Sequence, residues 1–219
     1  IISKEFNARV VRMDLDTTRN KGSHAKIIED FKNHKYDILI GTQMISKGLN
    51  FKDVTLVGVI NADASLNIPD FRSGERTFEL LTQTGGRAGR YELPGEVVIQ
   101  TYNKDNYCLE CVKNHDYLSF YNKEMKIRRD LKYPPYYYLI SLKIIGKEYE
   151  KTIDASKKVK TFLDKNLADA ITLGPTTAQV FKFNNEYRMQ IIIKYKKCDN
   201  LKNVLKELDS LFVMNKDLR

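Results

Sequence analysis

Short apolar runs alternate with helical segments through residues 1–105, and this alternation admits few folds. The runs at 8–13, 36–40, 54–60 and 97–102 have the length and composition of strands, and the second ends in Gly41. Between them, 23–33 sets Ala25, Ile27, Ile28 and Phe31 at helical spacing, with Ser23 as a candidate cap. The segment 70–83 turns Phe71, Phe78 and Leu81 towards one side of a second helix. Strands separated by helices pair in parallel and carry helices on both sheet faces. Sheets of this kind place their chemistry at the carboxyl ends of strands. Gly41-Thr42-Gln43 and Asn61-Ala62-Asp63, which follow two of the runs, therefore rank above ordinary loops.

The middle, 106–132, reads as one or two charged helices and stops at Tyr133-Pro134-Pro135-Tyr136. Two prolines cannot continue a helix, and each pushes its predecessor to extended geometry. The rhythm then changes. A strand is expected over 137–145. A helix over 148–166 carries Ala155, Val159, Phe162 and Leu163 on one face. A short strand, 171–173, precedes Gly174-Pro175. Segments 178–183 and 187–196 flank Asn184-Asn185-Glu186, a hairpin signal. Finally 201–212 is an amphipathic helix with Leu201, Val204, Leu205, Leu208 and Leu211. The order strand, helix, strand, strand, helix predicts a small split βαβ domain of the ferredoxin-like type. The expected organisation is an α/β parallel-sheet lobe over 1–105, a helical connector over 106–135 and an α+β domain over 136–219.

The chain has 219 residues, with 37 Lys and Arg against 28 Asp and Glu, a surplus of +9. At 42% hydrophobic and 30% charged it suits a globular chain rather than a disordered one. The positive balance points to an anionic partner, whether nucleic acid, anionic lipid or acidic protein. The apolar runs are far too short to span a membrane. Cys108, Cys111 and Cys198 make no disulfide framework, which implies a reducing compartment. Cys108-Leu109-Glu110-Cys111 has the spacing of half a zinc site, but a structural site needs four ligands, so the pair is read as buried. The chain begins at Ile1 without an initiating Met, so it is expected to be a piece of a longer protein.

The sharpest motif is Gln83-Thr84-Gly85-Gly86-Arg87-Ala88-Gly89-Arg90. Glycine lets the backbone approach a ligand closely, and arginine grips phosphate oxygens with two donors. An arginine aimed at a transferring γ-phosphate stabilises the charge that develops there. The second motif is Gly41-Thr42-Gln43-Met44-Ile45-Ser46-Lys47-Gly48-Leu49-Asn50-Phe51, which offers small polar groups and a cation at a strand end. Amides and hydroxyls in such a loop suit nucleic-acid phosphates. Arg188 is a candidate phosphate or partner contact, and Tyr136, Tyr137 and Tyr138 are candidates for stacking on bases.

Together the two motifs resemble motifs V and VI of superfamily 2 helicases, motors with two RecA-like lobes. With Val54-Thr55-Leu56-Val57, Asn61-Ala62-Asp63, Asp70-Phe71-Arg72 and Glu75-Arg76, the run is similar to replication-restart helicases of the PriA type. Tyr133-Pro134-Pro135-Tyr136, Leu173-Gly174-Pro175 and Tyr187-Arg188-Met189-Gln190-Ile191 resemble that family's C-terminal domain. Two positions depart from the pattern. Thr84-Gly85-Gly86 stands where many relatives have Val-Ala-Gly, and Asn50 where an acid or His is usual. Neither removes a charged catalytic group.

The resemblance implies the second RecA-like lobe and the C-terminal domain of an ATP-dependent 3′-to-5′ DNA helicase for replication restart and primosome assembly. Arg90 would be the arginine finger, with Arg87 and Gly48 in nucleotide contact and Gln83 positioning the nucleotide. Thr42, Gln43 and Lys47 would couple nucleotide state to the tracked strand, and Asp63 would either order these loops by hydrogen bonding or serve as a plain helix cap or turn residue. Implied partners are branched or forked DNA, single-stranded DNA, single-strand-binding protein and other primosome proteins, in the cytoplasm and with no membrane. ATP with Mg²⁺ would serve the full-length protein, and zinc would belong to a segment upstream. No Gly-x-x-x-x-Gly-Lys-Ser/Thr loop occurs here, so these residues alone are expected not to hydrolyse ATP. The alternatives are a non-motor nucleic-acid-binding module and another branched-DNA helicase resembling RecG.

Overall fold

The computed structural model describes residues 2–14, 17, 22–42, 51–86, 88 and 94–213. They fall into two compact units, Ile1–Tyr121 and Asn122–Arg219.

After a single helical turn, α1 (Ile2–Glu5), the first unit forms two parallel strand pairs, each closed by a helical crossover. β1 (Val10–Met13), α2 (Ser23–Lys32) and β2 (Ile38–Gly41) make the first, with Val10 opposite Ile38 and Met13 opposite Gly41. Arg9 and Asp37 knot its entry. The Arg9 amide and Nε donate to one Asp37 oxygen at 2.8 and 3.0 Å, and a second guanidinium nitrogen reaches the other oxygen at 2.6 Å. Ser23 does not cap α2 from outside, as the sequence suggested. It is the first helical residue, and Gly22 ahead of it takes φ 90°, a conformation that costs glycine little.

β3 (Leu56–Val59) and β4 (Glu96–Ile99) form the second pair, Leu56 opposite Glu96 and Val59 opposite Ile99. α3 (Asp63–Leu66) and α4 (Ser73–Gly85) lie between them in sequence, followed by α5 (Tyr107–Lys113) and α6 (Tyr117–Asp130). The expected parallel pairing is therefore present in both crossovers. α4 buries Thr77, Phe78 and Leu81, and Phe78 stacks on Phe120 with ring centroids 4.2 Å apart. Cys108 and Cys111 join that core at 0% and 2% exposure, which agrees with the buried reading of the pair. The Asn106 side chain accepts the Cys108 amide, and the Asp116 side chain accepts that of Ser119, so polar caps begin α5 and α6.

The second unit holds β5 (Tyr138–Gly146), α7 (Tyr149–Asn166), β6 (Ile171–Phe183), β7 (Glu186–Tyr195) and α8 (Leu201–Val213). The sheet order is β5-β7-β6, and β7 is antiparallel to both neighbours. β5 and β6 therefore run parallel with β7 inserted between them, the split βαβ arrangement read from the sequence. Ile144, Met189, Ile191 and Ile193 pack on Ala155, Val159 and Leu163 of α7 and Leu201, Val204 and Leu208 of α8. Leu211, expected in that stripe, is 58% exposed.

β6 is longer than the sequence suggested, because Gly174-Pro175 does not end it. The register shifts between Leu173 and Thr176 instead. Pro175 has no amide to give the ladder, and Gly174 absorbs the irregularity at φ 104°. A Cβ at Gly174 would lie 2.7 Å from the Gln190 carbonyl oxygen, so only glycine fits. Asn184 and Asn185 turn the hairpin at φ 51° and 60°, the geometry of a two-residue loop with both residues left-handed.

Lys194 stands apart from its exposed neighbours Lys196 and Lys197. It is 6% exposed, its Nζ donates to the Leu131 carbonyl at 2.8 Å, and it lies 3.6 Å over the Tyr133 ring. It thus satisfies a carbonyl just past the end of α6, where cations are favoured. Burial, with Lys132 nearby, pushes its ammonium below the usual lysine range.

Two outcomes follow from these contacts. Lys194→Ala leaves the Leu131 carbonyl without that donor, and urea denaturation of the second unit should show a loss of about 1–3 kcal/mol. Hydrogen bonds and charge from Arg9 hold the Asp37 carboxyl down at about 2. A carboxylate depressed in the fold adds stability above its unfolded value and loses it as pH falls through the folded one. Carboxyl NMR titration should therefore place Asp37 near 2, and Arg9→Met should return it towards its ordinary value of 3.8.

Candidate functional site

The strands bring two candidate segments to their carboxyl ends. Thr42 is exposed and directly follows Gly41, the last residue of β2. Gln43, Lys47 and Gly48 lie outside the described residues. Beside this end, Asp14 follows β1 and is nearly buried. Its carboxylate accepts the Thr17 amide at 3.0 Å and pairs with Arg12, while its own amide donates to the Thr17 hydroxyl at 2.9 Å. The Thr17 bond is the largest influence on the Asp14 carboxyl, and with Arg12 it outweighs burial and lowers its pKa. Asp14 escaped the sequence reading. Its only signal was an acid at the carboxyl end of a predicted parallel strand.

The carboxyl ends of β3 and β4 are knitted together. The Gln100 amide donates to Val59 at 2.9 Å and the Ala62 amide to Gln100 at 3.1 Å. Asp63 then accepts the Thr101 hydroxyl at 3.0 Å and the Tyr102 amide at 2.9 Å. The Asn61 side chain accepts the Ala64 amide at 3.0 Å and starts α3. Asp63 therefore ties the start of α3 to the segment after β4, while residues 43–50, which it was expected to order, lie outside the described residues.

From α3 the path continues to the arginine motif. Thr77 on α4 donates to the Ser65 hydroxyl at 2.7 Å. Gln83 sits exposed near the end of α4, and the Gly86 amide closes the helix on the Thr82 carbonyl. Arg87 and Arg90 lie outside the described residues. Asp70 pairs with Arg72 at 3.3 Å and Arg76 at 3.0 Å, but from the turn before α4 rather than along the helix. Burial raises the Asp70 carboxyl, and the bonds and charge of Arg72 and Arg76 outweigh it and leave it below the ordinary value.

In the second unit, Tyr136 is already engaged. Arg129 lies 5.0 Å over its ring and donates to its hydroxyl at 3.2 Å. Tyr137 faces Lys132 and Lys196, and Tyr138 packs on Tyr195. Arg188 stands on β7 opposite Ile145. Lys160 is paired along α7 with Asp164, which also accepts the Thr172 hydroxyl and so ties α7 to β6.

Asp63→Ala deletes the acceptor that ties β3 to the segment after β4. Chemical denaturation should register about 0.5–1.5 kcal/mol, and amide hydrogen exchange at Tyr102 should accelerate.

The helicase conserved C-terminal domain family matches residues 1–92, and the primosomal protein N C-terminal domain family matches 129–218. The replication restart protein PriA of Bacillus subtilis is 50% identical over 203 residues, 92% of this chain and 25% of that protein. Its namesake from Synechocystis is 43% identical over 89% of this chain and 24% of that protein, and that of Chlamydia pneumoniae 41% over 85% and 25%. The chain thus spans about a quarter of the length of these relatives. With a helicase-type lobe followed by the family's own C-terminal domain, the chain belongs to the PriA replication-restart family.

Proposed function

We propose that this chain supplies the second motor lobe and the C-terminal domain of an ATP-dependent 3′-to-5′ DNA helicase. The helicase would restart replication and assemble the primosome at stalled or branched forks. The observation that carries the reading is the extent of the likeness, 50% identity to a replication restart protein over 92% of the chain, motif segments included. The lobe would span 1–105, a helical connector 106–135 and the C-terminal domain 136–219.

Arg90 completes the nucleotide site as the arginine finger, where it stabilises charge developing on the γ-phosphate. Arg87 and Gly48 contact the nucleotide, and Gln83 positions it. Thr42, Gln43 and Lys47 meet the phosphates of the tracked strand, and Arg188 and Tyr136 contact nucleic acid from the second unit. Exposed Thr42 at the end of β2 and exposed Gln83 near the end of α4 support these assignments. ATP and Mg²⁺ would be held with the other motor lobe, and zinc in a segment upstream. Single-strand-binding protein, other primosome proteins and a cytoplasmic setting complete the reading. Among the described residues no helix is long and apolar enough to cross a membrane.

The test is fork-stimulated ATP hydrolysis by the longer protein that contains this chain. Arg90→Ala should lower kcat by about 10³–10⁵ and leave fork binding intact, while the 219-residue chain alone turns over no ATP. Hydrolysis by the Arg90 variant at the parent rate would overturn the assignment.

A further inference from the structure

The sheet of the second unit has two unlike faces. One packs on α7 and α8. The other carries Lys143 opposite Gln190 and Ile145 opposite Arg188. Towards Lys194 this face is closed by Leu131 and Tyr133. Towards the β6–β7 turn it is open, and Phe183 is 53% exposed.

Arg188 is held there in an unfinished state. Its guanidinium lies 4.9 Å over the Phe183 ring. Its Nε is buried and has no hydrogen-bond partner among the described residues. A buried donor left unsatisfied is costly, and a ring face so exposed gains from any flat partner. On the opposite, helix-covered face Phe181, Tyr187 and Tyr149 cluster with centroids 5.4–5.5 Å apart, and Lys182 sits 4.7 Å over Tyr187. On the Arg188 face Glu186 stands opposite Phe183, and the cations are Lys143, Arg188 and the buried Lys194.

We propose that this end of the sheet is a stacking platform for unpaired nucleic acid, with Phe183 taking a base and Arg188 its phosphate. The base displaces the guanidinium from the ring. Arg188 swings to a phosphate oxygen, where its donors, Nε included, find an acceptor. One ligand thereby covers the exposed ring and satisfies the orphaned donor. An acidic peptide would satisfy the arginine and leave the ring bare, so the pairing of ring and cation favours a strand whose bases are free to stack. The proposal rests on the nucleic-acid reading above and narrows it to single strands at named residues.

The chain contains no Trp, so Phe183→Trp installs a lone reporter at the platform. The variant is titrated with a labelled thymidine oligomer and with an abasic oligomer of equal length, with label anisotropy and Trp emission read together. Both oligomers should raise the anisotropy, and only the thymidine oligomer should quench the Trp. Phe183→Ala should weaken thymidine binding by about 5- to 150-fold and leave abasic binding unchanged. Arg188→Ala should flatten the log–log salt slope by about 0.7. Rising anisotropy without quenching overturns the platform and leaves the nucleic-acid reading standing. No anisotropy change with either oligomer overturns both.

Discussion

Much of the first unit depends on one carboxylate. Asp63 begins α3 directly after β3 and at the same time accepts from Thr101 and Tyr102 beyond β4. Two strands distant in sequence thus end at one fixed edge. α3 starts from that edge, Ser65 fastens it to Thr77 of α4, and α4 runs on to Gln83. A parallel pair leaves its carboxyl ends as loops, which are mobile unless side chains tie them. Here a short polar relay does so, and it leads to the glycine- and arginine-rich segment.

The second unit solves a different problem. Its sheet is covered on one face by two helices, and its middle strand pairs on both sides. Lys194 seals part of the other face by reaching the carbonyl of Leu131 just past the end of α6. The remaining part holds a half-buried Arg188 over the exposed ring of Phe183. The two units therefore expose different kinds of surface. The first presents strand-end loops, and the second a partly bare sheet.

Most of this architecture was legible in the amino-acid order. Helical and strand periodicities placed the elements, and Asn184-Asn185 marked the hairpin because both residues tolerate left-handed backbone. Cys108 and Cys111 were readable as core once a full zinc ligand set was missing. What escaped was decided by partners far along the chain. Lys194 looks like its neighbours Lys196 and Lys197, and only the Leu131 carbonyl, 63 residues away, draws it inside. Asp14 gave no signal beyond its place after a strand. Gly174-Pro175 looked like a strand end, and β7 held the strand together through a register shift. Within the candidate site, Thr42 and Asp63 follow strands as the strand-end rule expected, and Gln83 lies on α4.

On the proposed function, the chain meets branched DNA through phosphate contacts. The most direct measurement is the salt dependence of its binding to a labelled fork, set against duplex of equal length. The account predicts a preference for the fork and a steep loss of affinity as salt rises, as expected when bound cations displace counterions. Equal binding to both DNAs, or none to either, would contradict it.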